Sequence, residues 1–304
     1  MKKASVIVVI MLAASLLLSI GACAEELKFA AILKTLANPH WVAMKKGYEE
    51  EAARQGITVE VFAVTSEGNI QEQLQLFETV LQKEYDGIAF SPITPVNLIP
   101  TVVKANKAGI PVVNVDEGVE QSALAAAGGK IGAFIRTDNF AIGQKAADFV
   151  ASQLPDGGKV AIIEGMAGNT SGDARRDGFQ EKLMTYSGFE IVASQPGDWD
   201  RIKALDVATN IMNRNEDLAA IYCANDTMAL GAVQAVNNAK REVMVVGTDG
   251  IDEAVEAVKS GEMAATIAQD PYAMGVTAVQ TLQKLIKGEE VEFDMLVPSK
   301  LITK

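Results

Sequence analysis

Residues 27–63 read LKFAAILKTLANPHWVAMKKGYEEEAARQGITVEVFA, and this stretch decides the fold. Leu27 to Leu33 is an apolar run of strand length. Asn38-Pro39 then opens a helix, because the Asn38 side chain can cap it and Pro39 lacks only an N–H that the first helical turn leaves unpaired anyway. The helix closes near Gly56, and Val59 to Ala63 reads as a second strand. A strand, a helix and a strand in this space form a βαβ unit, which calls for parallel pairing with the helix laid on one face of the sheet.

The same alternation continues to the C-terminus. Ile70 to Glu84 reads as a helix, with Leu74, Phe77 and Leu81 at helical spacing. Gly87 to Phe90, Pro111 to Val115, Phe134 to Thr137, Lys159 to Ile163, Ile191 to Ser194, Ala220 to Ala224, Val243 to Val246 and Ala265 to Ala268 read as further strands. About ten strands is many for one twisted open sheet, and two similar α/β lobes are the more economical arrangement. A crossover is expected at Thr137-Asp138-Asn139 and a second near Gln269-Asp270-Pro271. The last long helix, Tyr272 to Lys287, would then return to the first lobe.

At 304 residues the chain can build two sizeable cores, and 49% apolar with 22% charged residues marks it as globular. Its net charge of -12 repels nucleic acid and anionic lipid, and no basic run compensates, so neither is expected as a partner. The first 24 residues have another character. Lys2 and Lys3 precede an uncharged apolar run from Ala4 to Ile20, and Ala22-Cys23-Ala24 follows. That order is an export signal with cleavage after Ala24. Ser19-Ile20-Gly21-Ala22-Cys23 also admits lipidation at Cys23, which leaves a lipid anchor as the alternative to release into the periplasm. Cleavage after Ala24 leaves Cys223 as the one thiol, in an apolar run that suits a buried structural residue, so the core alone must stabilise the protein.

Open α/β sheets bind ligands at the carboxyl ends of their strands. Five such ends carry polar planar or charged residues: Lys34; Asp116 with Glu117; Asn225 with Asp226; Asp249; and Gln269. Carboxylate, carboxamide and guanidinium groups present two donor or acceptor atoms in fixed geometry, which suits adjacent sugar hydroxyls. The apolar faces of a sugar pack on aromatic rings. The two tryptophans, Trp41 after the helix cap and Trp199 in a Gln-Pro-Gly-Asp-Trp-Asp loop, are candidates both for core and for such a wall, and their places at strand ends favour the wall. Plainer roles compete: Asn38 suffices as a cap, Asp226 could cap the helix from Thr227, and Arg175-Arg176 could be a solvated helix start. His40 is the single histidine and has no nucleophile motif beside it, and no cluster of metal-ligand spacing exists, so no catalytic residue, metal or cofactor is expected. The glycine-rich stretch 164–172 lacks the G-x-G-x-x-G and P-loop spacings and reads as a loop that lets Arg175 reach a cleft.

Several stretches carry a family resemblance: 33–39 (LKTLANP), 168–178 around Ala174-Arg175-Arg176, 194–202 (SQPGDWDRI), 222–229 (YCANDTMA) and 247–250 (GTDG). They resemble the periplasmic ribose-binding-protein group of sugar receptors, from about Leu27 to the C-terminus. The resemblance implies an α/β fold of two Rossmann-like lobes, a type I periplasmic binding protein, joined by a three-segment hinge and closing on one pyranose. The implied organisation is residues 1–24 as signal peptide, 25–137 plus 270–298 as the first lobe, and 138–269 plus 299–304 as the second. The implied ligand contacts are Lys34, Asn38, Trp41, Asp116, Glu117, Arg175, Trp199, Asn225, Asp249 and Gln269. His40, which stands where the family usually has Phe, joins them.

The group's ribose receptors carry a small hydroxyl residue at the Lys34 position and Arg at the Glu117 position. Here the local charge is exchanged, so Lys34 and Glu117 are expected to face each other and reshape the site for a six-carbon aldose such as D-allose, with D-ribose or another aldose as the alternative. The implied partners are a monosaccharide and the membrane permease of an ABC uptake system, with the protein a monomer. A chemoreceptor is a further reader that the sequence leaves open. Two other classes compete: a glycosidase using Asp116 and Asp249, and a sugar-responsive repressor, which would need a helix-turn-helix where this chain has its export signal.

Overall fold

The computed structural model describes residues 26–304, so the stretch expected to be an export signal, with Cys23, lies outside the described residues. Within them the chain alternates strand and helix almost without exception. It runs β1 (Lys28–Thr35), α1 (Pro39–Gln55), β2 (Thr58–Val64), α2 (Ile70–Val80), β3 (Gly87–Phe90), α3 (Ile99–Lys107), β4 (Val112–Val115), α4 (Gln121–Ala126) and β5 (Ala133–Arg136). It continues through α5 (Asn139–Gln153), β6 (Gly158–Glu164), α6 (Thr170–Leu183), β7 (Phe189–Pro196), α7 (Arg201–Arg214), β8 (Leu218–Cys223), α8 (Asp226–Ala239), β9 (Met244–Asp249) and α9 (Asp252–Ser260). Last come β10 (Ala265–Ala268), α10 (Pro271–Ile286), β11 (Asp294–Leu296) and β12 (Lys300–Thr303).

The strands form two six-stranded sheets, ordered β11-β5-β4-β3-β1-β2 and β12-β10-β9-β8-β6-β7. Pairing is parallel except where β12 runs antiparallel to β10. In each sheet the order turns back beside its first strand, between β1 and β3 and between β6 and β8, and the carboxyl ends flanking such a switch point are where open α/β sheets bind ligands. The chain passes from one sheet to the other three times: after β5, after β10, and between β11 and β12. This is the type I periplasmic binding protein fold.

Period-two alternation fills both faces of each sheet. Along β1, Phe29, Ala31 and Leu33 enter one layer with α1 and α10, while Ala30 and Ile32 enter the opposite layer with α2, α3 and α4. Along β6, Ala161 and Ile163 face α7, α8 and α9, while Val160 and Ile162 face α5 and α6. Each large side chain so buried stabilises by about 1.5–3 kcal/mol. Helix α10 is held to the first lobe by a backbone-close crossing on α1, where a Cβ at Gly47 would lie 2.1 Å from the Tyr272 carbonyl oxygen. Cys223 is fully buried, as expected for a structural thiol.

Three local readings need correction. The helix expected to run to Glu84 ends at Val80, because Gln82 and Lys83 donate to Thr79 and Val80 and tighten the last turn. The expectation of about ten strands missed β11 and β12, short strands at the final crossing whose charged and exposed residues hide any alternation. Asp226 is not a cap: Asn225 caps α8 through Met228 N at 2.9 Å. The Asp226 carboxylate instead accepts from Gly250 N at 2.7 Å, Ile251 N at 3.0 Å and the Thr266 hydroxyl at 2.7 Å, pinning the turn after Asp249. Burial and the negative charge of Asp249 push its pKa well up.

A candidate ligand cavity between the lobes

The carboxyl ends of both sheets face each other across a small cavity. All eleven residues singled out in the sequence line it, and Glu67, Asn169 and Ser171 join them.

The first wall grows from the ends of β1, β2 and β4. Asn38 caps α1 by accepting from His40 N at 3.0 Å, which leaves its amide nitrogen free to donate to Glu67 Oε1 at 3.3 Å. The Trp41 indole N–H donates to the same oxygen at 2.9 Å, so one carboxylate orients both a ring and an amide. Trp41 is core and wall at once: it packs with Met44 and Tyr48 and also lines the cavity. Lys34 and Glu117 are direct partners, with Nζ 3.4 Å from Oε2 and both side chains buried.

The second wall grows from α6, the loop after β7, and the ends of β8, β9 and β10. Arg175 donates from Nε to Asn139 Oδ1 at 2.8 Å and from one terminal nitrogen to the Ala224 carbonyl at 2.7 Å, with Asp249 Oδ1 3.4 Å away. Gln269 donates to Asp249 Oδ1 at 2.7 Å, while its own Oε1 is buried without a protein partner. The glycine-rich stretch does more than give Arg175 reach. A Cβ at Gly165 would lie 2.1 Å from the Trp199 ring and one at Gly172 would lie 2.9 Å from it, so the missing side chains form the slot that seats the indole.

Asp116, Trp199 and Asp249 have φ of 67°, 64° and 120°. Non-glycine residues rarely hold such angles, and strained backbone of this kind concentrates at binding sites, where the surrounding contacts enforce it.

His40 lies between two carboxylates, with Nε2 3.1 Å from Asp116 Oδ2 and Nδ1 3.9 Å from Asp249 Oδ1. Burial works to lower its pKa, but the hydrogen bond to Asp116 and the charges of Asp116 and Asp249 outweigh burial and raise it. For Asp116, burial works upward, yet the hydrogen bond from His40 and the charges of His40, Lys34 and Arg175 bring it down to about 2. A carboxyl held there is a hydrogen-bond acceptor and a poor proton donor. Among the described residues, no cluster of three or more His, Cys, Asp or Glu is arranged to hold a metal.

Glu67, Asn169 and Ser171 were legible and missed. Glu67 follows β2 in Thr65-Ser66-Glu67-Gly68, a strand end like the five already read, and Asn169 and Ser171 follow β6 in the same way.

Comparison with known proteins agrees with this architecture. The chain is 51% identical over 291 residues to the D-allose-binding periplasmic protein of Escherichia coli, covering 94% of this chain and 93% of that protein. It is 37% identical to the ribose import binding protein RbsB of Haemophilus influenzae, covering 95% of each. The crystal structure of an ABC transporter periplasmic solute binding protein from Actinobacillus succinogenes with bound D-allose superposes with a TM-score of 0.89 at 35% identity, over 92% of this chain and 98% of that one. Residues 29–290 match the periplasmic binding protein domain, and the chain belongs to that family.

Proposed function

We propose that the protein is the extracytoplasmic receptor of an ABC sugar uptake system, and that it binds one monosaccharide, D-allose, in the cavity between its lobes. The observation that carries this reading is the make-up of that cavity. Two tryptophans and a set of planar hydrogen-bonding groups, drawn from both lobes, line one small cavity, and apolar ring faces beside a few convergent polar groups are what a site for a single sugar ring needs. The buried, unpartnered Gln269 Oε1 and His40 Nδ1 are free to bond hydroxyls. The proposed contacts are Lys34, Asn38, His40, Trp41, Asp116, Arg175, Trp199, Asn225, Asp249 and Gln269, with Glu117 beside them. Relatives named for D-allose and for ribose support a monosaccharide of this class.

Binding works by closure. Each lobe supplies one wall, so only the closed form makes every contact, and sugar shifts the population toward it. A membrane permease reads the closed surface, as a chemoreceptor could. The protein acts as a monomer in the periplasm, delivered by residues 1–24, with a lipid anchor at Cys23 as the alternative. No chemistry on the sugar is part of this function, in keeping with relatives that are named for binding a sugar. The test is calorimetric titration of ligand-stripped protein with D-allose, D-ribose, D-galactose and D-glucose. Saturable D-allose binding with weaker D-ribose binding is expected. Tight D-ribose binding would overturn the choice of sugar, and no binding of any of the four would overturn the monosaccharide reading.

A further inference from the structure

We infer that Glu117 is the latch that holds the lobes shut, and that it governs affinity through closure rather than by touching the sugar. Its carboxylate leaves the first lobe and docks on the start of α6 in the second. Oε1 accepts from Thr170 N at 2.8 Å and from the Thr170 hydroxyl, and Oε2 accepts from Asn169 Nδ2 at 2.6 Å and from Lys34 at 3.4 Å. A carboxylate has about four acceptor sites, and these four donors fill them. Among the described residues, and away from the three chain crossings, the direct hydrogen bonds between lobes all end on Glu117. Other cavity residues bond within their own lobe or along the hinge, as Glu67 does with Trp41 and Arg175 with Asn139.

Both ends of the latch are built for it. On the first lobe, the buried Asn114 side chain donates to the Glu117 carbonyl at 2.8 Å and accepts from Val119 N at 2.8 Å, fixing the turn that aims the carboxylate. On the second, Asn169 caps α6 through Gly172 N at 2.9 Å and turns its amide nitrogen toward the cleft. The N–H of Thr170, one of the donors a helix start leaves unpaired, is satisfied only from across the cleft. The positive end of the helix dipole favours the carboxylate there. Opening the lobes breaks all three interlobe bonds and leaves Glu117 with Lys34 alone. The latch therefore favours the closed form by itself, and any sugar that needs closure gains the same factor.

This rests on the reading of the cavity as a sugar site, and the experiment separates the two. Glu117→Gln keeps the shape and loses the charge. Its affinities for D-allose and D-ribose, by calorimetry, should both fall by the same factor, roughly tenfold to a hundredfold, the scale of hydrogen bonds to a charged group. Their ratio should stay that of the wild type. A changed ratio would make Glu117 a sugar contact, and unchanged affinities would mean no latch; either overturns the inference. Thr170→Val attacks the same bond from the other lobe and should weaken both sugars several-fold. Combined with Glu117→Gln it should cost less than the product of the two losses; fully multiplicative losses would overturn the pairing. If the wild type binds no sugar, the functional reading fails, yet the latch is still tested by small-angle scattering of ligand-free protein. There Glu117→Gln should enlarge the radius of gyration relative to wild type, and equal radii would overturn it.

Discussion

Replacing Asp116 with Asn removes the negative partner of His40, and its cost should depend on pH in a way that the two shifted groups dictate. Asp116 titrates at about 2 in the folded protein against 3.8 as an ordinary carboxyl. At about 1.4 kcal/mol per unit, that difference amounts to roughly 2 kcal/mol of stability. Because the folded value is lowered, the contribution is complete above 3.8 and is lost as pH falls toward 2. His40 is shifted the other way. Its contribution is complete below its ordinary 6.5 and is lost as pH rises through the folded value. Both contributions coexist between about pH 4 and 6.5. Lys34, Arg175 and Asp249 face the same pair, and the variant leaves them in place. Thermal unfolding of wild type and Asp116→Asn, followed by circular dichroism from about pH 3 to about pH 9, should show the largest gap in that window. At about 2–4 °C per kcal/mol, the gap should be roughly 4–8 °C, narrowing on both sides. A gap that stays constant across the whole range would refute the ion-pair reasoning, and a gap that widens above pH 8 would refute the sign given to His40.

Two further outcomes follow from the packing around the cavity. Gly165→Ala places a methyl group 2.1 Å from the Trp199 ring, so the indole must leave its slot; the expected result is a shifted tryptophan emission and loss of sugar affinity by tenfold or more, on the order of 1.4 kcal/mol, with the unfolding midpoint moved much less. Asp226→Ala orphans the Gly250 and Ile251 N–H groups and the Thr266 hydroxyl, and urea unfolding should show a loss of about 3 kcal/mol or more, in line with several buried donors left unsatisfied.

How much of this could be read without a structure varies from residue to residue. The βαβ unit of 27–63 carries its own signals, since strand length, the Asn38-Pro39 cap and the terminal Gly56 are local properties, and local physics is what a sequence displays. The strand-end rule picked out Lys34, Asp116, Asn225, Asp249 and Gln269, all of which line the cavity, because the carboxyl end of a parallel strand is a place in the chain as well as a place in space. The same rule would have found Glu67 and Asn169 had it been applied to every strand. Asp226 shows its limit: an Asp beside a helix start looks like a cap, and only the approach of β9 and β10 turns its carboxylate to the Gly250 turn instead.

Two lobes, α/β alternation, an acidic charge balance and the polar make-up of the strand ends were all determined by the sequence, because periodicity, capping and charge are written residue by residue. The tertiary structure alone decided which of those polar groups meet. Glu117 and Thr170 are 53 positions apart, and Gly165 serves a tryptophan on a different loop. The first pairing depends on how the two sheets close on one another and the second on how loops after two neighbouring strands of one sheet pack, and no local pattern encodes either distance.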